Sequence, residues 1–283
     1  MINEFIRSYN IFQERGLEDS LVETLRLFDL LSEGSLSKID PSRLEMLNDD
    51  MQKIAELRKQ GVPMEYIVGR AIFMDLTLHC TPDTLIPRDD TVLLVETALG
   101  LIEKRQKDGS GLLLIEVGTG CGNIAIAIAM NAPSVKIYAS DIDPAAVKVA
   151  KKNVNKYDLQ DIIPLFCGDL LDPFSNEALE GKIDLIVCNP PYIPTGSLQK
   201  LDPGIINHEP ILALDAGTYG IDIIQRLIRD AVPFLKEGGV LIFEIGAGQD
   251  KLFDMLLKKN KAFENIRHID DGNEVRVISA ERI

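Results

Sequence analysis

Leu112-Leu113-Leu114-Ile115-Glu116-Val117-Gly118-Thr119-Gly120-Cys121-Gly122 is the stretch on which the reading of this chain turns. The first six residues, apolar apart from Glu116, have the length and character of a strand buried on both faces. They run directly into three glycines spaced two apart. Glycine permits positive φ and lets a ligand approach the backbone, so Gly118, Gly120 and Gly122 predict a sharp strand-to-helix turn. Asn123 to Met130 continues as a helix.

The same unit repeats downstream. Val135 to Ser140 is a second strand ended by Asp141, and Ala145 to Asn155 a helix. Ile162 to Cys167 is a third strand, ended by Gly168-Asp169. Ile183 to Cys188 is a fourth, Ile221 to Leu235 a helix, and Gly239 to Ile245 a fifth strand. Leu252 to Lys259 reads as helix. Phe263 to Ile269 and Val275 to Ala280, with Asp271-Gly272 between them, read as a closing antiparallel pair. Seven strands alternating in this way imply an α/β fold with a mostly parallel sheet, covered on both faces.

The fourth strand runs into Asn189-Pro190-Pro191-Tyr192. Two prolines forbid further ladder bonding, so the strand stops there. Asn189 is thereby held at a carboxyl strand end, the edge where open α/β sheets bind ligands. The four residues offer a side-chain amide oxygen, backbone carbonyls and an aromatic face, a set suited to a planar group bearing NH₂. A plain strand-ending turn uses the same residue types.

The other strand ends sharpen the choice. A dinucleotide fingerprint needs glycine at position 123, which is Asn123, and no phosphate-gripping lysine follows the turn. Asp141 ends the next strand about 20 residues on, where a carboxylate can accept from both ribose hydroxyls. Asp143 precedes Pro144 and suits a helix N-cap. Asp169 can accept from an adenine amino group, with Leu170 packing on the ring; a turn-forming Asp after Gly168 explains Asp169 equally well. It is the combination, a glycine turn, two acids and Asn-Pro-Pro-Tyr on four consecutive strand ends, that argues for a nucleoside-type site facing an amino group.

Upstream, residues 1 to about 70 read as helices. Leu21, Leu25 and Phe28 recur at helical spacing with Val22, Leu30 and Leu31 beside them, and Met51, Ile54 and Leu57 repeat the pattern. Asp40-Pro41 predicts a capped helix start, and Gly61-Val62-Pro63 a stop. No residues here converge on chemistry, which suits partner contact better than catalysis. Ile72-Phe73-Met74 and Leu76 to Cys80 predict a hairpin around Asp75. Arg88-Asp89-Asp90-Thr91 leads into a helix from Val92 to about Lys104, and Gln106 to Gly111 is a polar loop.

Of the 283 residues, 46% are hydrophobic, as in an ordinary globular protein. No apolar run approaches a membrane span, and the first residues lack a signal-peptide layout. Cys80, Cys121, Cys167 and Cys188 form no C-x-x-C pair and only three histidines exist, so neither a metal site nor a disulfide framework is expected, and a cytoplasmic location is. A net charge of −14 disfavours a phosphate-backbone groove and favours a small molecule or a protein with a basic face.

With these stretches in hand, the last two-thirds of the chain resembles the class I S-adenosylmethionine-dependent methyltransferases, and Asn189 to Tyr192 their amino-group branch. Val62 to Gly69, Leu85-Ile86-Pro87-Arg88, Asn189 to Pro194, and His208-Glu209-Pro210 with Ala213 to Gly217 look more specifically like the protein-(glutamine-N5) methyltransferases that modify peptide chain release factors. Two stretches depart from that family's usual wording, Arg88-Asp89-Asp90-Thr91-Val92 and Asn273-Glu274-Val275-Arg276-Val277, and the N-terminal helices match it poorly.

The resemblance implies a Rossmann-like sheet with its last strand antiparallel. With the helical pattern upstream, the chain divides into a helical domain over 1–70, a hairpin linker over 71–88 and, over 89–283, the methyltransferase domain that the resemblance implies. It implies S-adenosylmethionine held by Gly118, Thr119, Gly120, Gly122, Asp141, Asp169, Leu170 and Asn189. Asn189 and the Pro190 carbonyl would hold the two hydrogens of a glutamine amide, within a motif completed by Pro191 and with Tyr192 packed on the amide plane. The partner would be a release factor, with no membrane involved. Three other readings compete: transfer to a nucleobase amino group, disfavoured by charge; a nucleotide-binding dehydrogenase, disfavoured by the missing third glycine; and a non-catalytic protein that keeps the cofactor fold.

Overall fold

A computed structural model describes residues 2–32, 41–106 and 111–283, with backbone alone over 41–49. Four helices come first: α1 (Ile2–Glu14), α2 (Ser20–Ser32), α3 (Pro41–Lys59) and α4 (Met64–Val68). They share their own core of Phe12, Leu27, Phe28, Leu31, Met51, Ile54 and Met64. The apolar stripe of α2 differs from the one its spacing suggests. Thr24, Leu27, Phe28 and Leu31 are buried, while Leu21, Val22 and Leu25 are more than half exposed. The sequence offers two apolar stripes on this helix, and packing against α1 and α4 selects between them. Of the capped start expected at Asp40-Pro41, Asp40 lies outside the described residues, as does most of the loop after Gln106.

A hairpin follows, β1 (Arg70–Phe73) paired antiparallel with β2 (Leu76–His79). Met74 belongs to its turn, at φ +52°, and not to the strand. The hairpin is more than a tether. Asn153 accepts from the His79 N–H at 2.6 Å and donates to the His79 carbonyl at 3.0 Å and to the Cys121 carbonyl at 2.8 Å. One buried amide thus stitches the hairpin to the glycine turn.

The remaining elements are α5 (Val92–Arg105), β3 (Leu113–Val117), α6 (Asn123–Asn131), β4 (Lys136–Asp141), α7 (Pro144–Lys156), β5 (Leu165–Cys167), β6 (Ile183–Cys188), α8 (Pro203–Ile206), α9 (Asp222–Ala231), β7 (Leu235–Glu244), α10 (Asp250–Asn260), β8 (Phe263–Asp270) and β9 (Val275–Arg282). Strands β3 to β9 make a seven-stranded sheet in the order β5-β4-β3-β6-β7-β9-β8. All neighbours are parallel up to β7, and β9 runs antiparallel to both β7 and β8. The α/β fold expected from the alternation is the one found.

Two boundaries move for a reason the sequence contains. The helix expected over 221–235 ends at Ala231, because Pro233 cannot continue it, and Leu235 already belongs to β7. The third strand is shortened to Leu165–Cys167 by Pro164, which has no N–H to donate. Helices cover both faces, so all six residues of β6 are buried. One face packs Leu114, Ile126, Ile137 and Leu185 among their neighbours, and the other Ile115, Ile186, Phe243 and Phe253. Each such side chain contributes about 1.5–3 kcal/mol on burial, so the strand ends that carry polar residues stand on a stiff base.

Candidate active site

The sheet order fixes where a ligand fits. From β3 the chain steps outward to β4 and β5, then returns to the other side of β3 for β6. Connections leaving β3 and β6 therefore diverge, which opens a crevice at their carboxyl ends. Register aligns those ends: Val117 pairs with both Ser140 and Cys188, and Asp141 with Cys167. A cavity of about 190 Å³ lies there, and its walls include Gly118, Thr119, Gly120, Asp141, Asp169, Leu170, Asn189, Pro190 and Pro191.

Gly118 and Gly120 have φ of +71° and +54°, and a β-carbon on either would meet no atom within 4 Å. Their bare backbone is a cradle open to a ligand. Gly122 is different. It lies outside the cavity walls, and a β-carbon there would come to 3.3 Å from Ile126 and 3.6 Å from Ala150. Its lack of a side chain serves the packing of α6 on α7.

Asp141 accepts from Gly120 N–H at 2.8 Å and Asp143 N–H at 3.0 Å. Burial raises its pKa, and those two donors counter the shift. The carboxylate is thus pinned at the lip of the turn, where Asp141 lines the cavity. Asp143 caps α7, accepting from Ala145 N–H at 2.8 Å, as its position before Pro144 predicts. Asp169 is paired with Arg226 of α9 at 2.6 Å, a partner no local pattern announces. Behind the turn Glu116 is fully buried. It accepts from Thr119 Oγ1 at 2.7 Å and Ala125 N–H at 3.2 Å, tying β3 to α6. Burial pushes its carboxyl up to about 8, against the pull of those two donors.

Asn189 and Pro190 line the same cavity as the glycine turn, at the carboxyl end of β6 next to β3. The Asn189 amide donates from Nδ2 to Thr91 Oγ1 at 3.0 Å, and Thr91 Oγ1 donates to Glu244 Oε2 at 2.8 Å. Tyr192 does not line the cavity. Its ring lies over Gly246, where a β-carbon would meet Cδ2 at 3.1 Å, and its hydroxyl is 3.5 Å from Glu244 Oε1. The Tyr192 backbone carbonyl accepts from Gln249 Nε2 at 2.9 Å.

Residues beyond the sequence expectation complete the site. Arg88 lines the cavity and pairs with the buried Glu209, whose other oxygen accepts from Ile86 N–H at 3.3 Å. Glu244 ends β7 as Asp141 ends β4, so an acid at a strand end was the available signal for it. Thr91 carries no such signal, since its neighbours come from two distant strands.

Comparison with known proteins agrees with this geometry. A family model described as methyltransferase small domain matches residues 99–202. Among solved structures, the hMettl16 catalytic domain bound to an RNA hairpin superposes with a TM-score of 0.57 at 17% identity, covering 83% of this chain and 82% of that one. The T. thermophilus 16S rRNA N2 G1207 methyltransferase gives 0.53 at 20% identity, covering 76% of this chain and 50% of that one. At such identities these establish the fold. Sequence relatives are nearer. The release factor glutamine methyltransferase of Thermosynechococcus vestitus is 35% identical over 263 residues, 92% of this chain and 88% of the relative. That of Clostridium acetobutylicum is 31% identical over 98% of this chain and 96% of the relative. Identity at this level, sustained across both the helical segment and the sheet, makes this chain a member of the release factor glutamine methyltransferase family.

Proposed function

We propose that this protein transfers a methyl group from S-adenosylmethionine to the side-chain amide nitrogen of a glutamine in a peptide chain release factor, in the cytoplasm. The observation that carries the reading is the shared cavity: an open glycine cradle, the pinned Asp141, Asn189 and Pro190 all line it. The cradle and Asp141 suit a nucleoside bearing ribose hydroxyls, and Asp169 with Leu170 suits its base. S-adenosylmethionine, when bound, supplies an electrophilic methyl on a sulfonium.

An amide nitrogen is a poor nucleophile because its lone pair is delocalised into the carbonyl. Asn189 Oδ1 and the Pro190 carbonyl are two acceptors for its two hydrogens. Holding both turns the lone pair out of conjugation and toward the methyl. The gain in rate comes from positioning and fixed dipoles. No strong base is needed beforehand, since the nitrogen becomes strongly acidic once alkylated and then sheds a proton. Tyr192 acts in this scheme as a prop for the Asn189 loop against Gly246.

Two observations favour a protein acceptor over a nucleic acid. The net charge of −14 opposes a phosphate backbone, and the full-length relatives carry the release factor name. For the cytoplasm, the support is that all four cysteines are free, and no helix among the described residues is long and apolar enough to cross a membrane. The test offers the protein labelled S-adenosylmethionine with release factors, ribosomal RNA and DNA in parallel. Label on a glutamine of a release factor, located by mass spectrometry, is the expected result. Label on nucleic acid alone would replace this reading with the nucleobase one.

A further inference from the structure

The Asn189 amide has two ends, and only one of them serves the proposed chemistry. If Nδ2 faced the cavity, a donor would meet the two N–H donors of the substrate amide. Something must hold Oδ1 toward the cavity. Asn189 stands one residue beyond the Cys188–Phe243 pair, beside Glu244 at the end of the neighbouring strand. Thr91, at the start of α5, bridges them: Asn189 Nδ2 to Thr91 Oγ1 at 3.0 Å, Thr91 Oγ1 to Glu244 Oε2 at 2.8 Å. Thr91 and Glu244 are each 1% exposed, so the Thr91–Glu244 bond is buried, while the Asn189–Thr91 bond lies at the cavity edge.

A hydroxyl has one proton, and an ionised carboxylate can only accept. With Glu244 charged, the Thr91 proton is committed to it, and Thr91 is left with lone pairs alone. Those can be met only by the NH₂ end of Asn189. We infer that Glu244, acting through the Thr91 hydroxyl, is the positioning residue that fixes which end of the Asn189 amide faces the substrate. The inference rests on the reading of Asn189 as the acceptor for a substrate amide. Protonation of Glu244 removes the constraint. Its new O–H can donate to Thr91, the Thr91 proton can turn to Asn189 Oδ1, and the amide can rotate to present NH₂ to the cavity.

The surroundings set where that happens. Burial pushes the Glu244 carboxyl up to about 7. Thr91, Arg276 of β9 and the Tyr192 hydroxyl pull it down, and Asp90 raises it. The buried Cys188 thiol faces it from β6. Arg276 is in turn shared with Asp90 at 2.7 Å and Glu274 at 3.7 Å, so its charge is only partly available to Glu244. The folded pKa lies above the ordinary carboxylate value, so Glu244 is protonated on the acid side of about 7 and charged above it. Turnover should therefore rise with pH through that midpoint and then level.

Two measurements test this independently. Turnover on a release factor is followed against pH for the wild type and for Thr91→Val, Thr91→Ser and Glu244→Gln, with S-adenosylmethionine affinity by calorimetry as the control. Thr91→Val keeps the shape and loses the hydroxyl; its kcat should drop by as much as about 100-fold, with cofactor affinity retained and the rise with pH gone. Thr91→Ser restores most of that loss. Glu244→Gln abolishes the rise with pH. The second measurement needs no acceptor protein. The side-chain amide protons of Asn189, assigned in ¹⁵N NMR spectra by their loss in Asn189→Ser, should titrate with Glu244 in the wild type and stay fixed in Glu244→Gln. Thr91→Val that binds cofactor and turns over like the wild type overturns the inference. So does a pH profile unaltered in Glu244→Gln, or an Asn189 amide that does not titrate. Should no acceptor be methylated even by the wild type, the proposed function fails and the NMR titration still decides the positioning role.

Discussion

Replacing Asp141 by alanine probes the cofactor half of the site. The carboxylate is anchored by two backbone donors, Gly120 N–H at 2.8 Å and Asp143 N–H at 3.0 Å, and it lines the cavity. A hydrogen bond to a charged group contributes about 1.5–3 kcal/mol. If Asp141 accepts one such bond from a ribose hydroxyl, as proposed, Asp141→Ala should weaken S-adenosylmethionine by roughly 10- to 150-fold in Kd. Asn at this position keeps one carbonyl oxygen and should fall between. The assay is isothermal calorimetry with S-adenosylmethionine and S-adenosylhomocysteine, alongside thermal unfolding. Both ligands share the ribose, so both should weaken equally. Unchanged affinity in a folded Asp141→Ala protein would refute the ribose assignment, and weakening of one ligand alone would move Asp141 toward the sulfur end.

The glycines of the turn should separate by role. Gly120→Ala places a methyl in the open cradle at φ +54° and should cost about tenfold or more in cofactor affinity. Gly122→Ala pushes on Ile126 and Ala150 at φ +88°, and should destabilise the fold by about 1–2 kcal/mol in urea titration with a smaller effect on binding. Glu116 supplies a stability prediction. Its carboxyl has an unperturbed value of 4.5 and about 8 when folded, so the folded state prefers the proton. That preference supports stability below 4.5 and is progressively lost as pH rises to about 8. Glu116→Gln retains an acceptor for Thr119 and Ala125 and cannot ionise. Its melting temperature should gain on the wild type as pH rises through that window; an equal pH dependence in the two proteins would contradict the assignment.

Much of the fold was legible because β3 and β6 are buried and read as apolar runs interrupted only by Glu116 and Asp184, and because Pro190-Pro191 and the glycine turn mark where strands end. Asp141 and Asp143 were separable by one neighbour, Pro144, which favours an N-cap at 143. Other features were closed to local reading. On α2 two apolar stripes compete, and only the partners α1 and α4 choose. Gly122 looks like Gly118 and Gly120 until Ala150 is brought against it. The contacts of Tyr192 with Gly246 and Glu244 join it to residues distant in the chain, which its place in the motif does not announce. The Asn189–Thr91–Glu244 chain joins residues 98 and 153 positions apart, and no spacing rule reaches that far.

The central claim is that Asn189 orients an amide nitrogen for methyl transfer, and single-turnover kinetics on Asn189→Ala test it most directly. The enzyme is preloaded with S-adenosylmethionine, mixed with a purified release factor, and methylated glutamine is quantified by mass spectrometry. The glycine cradle, Asp141 and Asp169 are untouched, so cofactor should still bind, weakened only by the loss of the contact Asn189 itself makes with it. The rate of transfer should fall by about 10²–10³, the cost of losing one oriented group from a preorganised site. Transfer at a near wild-type rate would make Asn189 a strand terminator and nothing more, and would remove the physical basis of the mechanism.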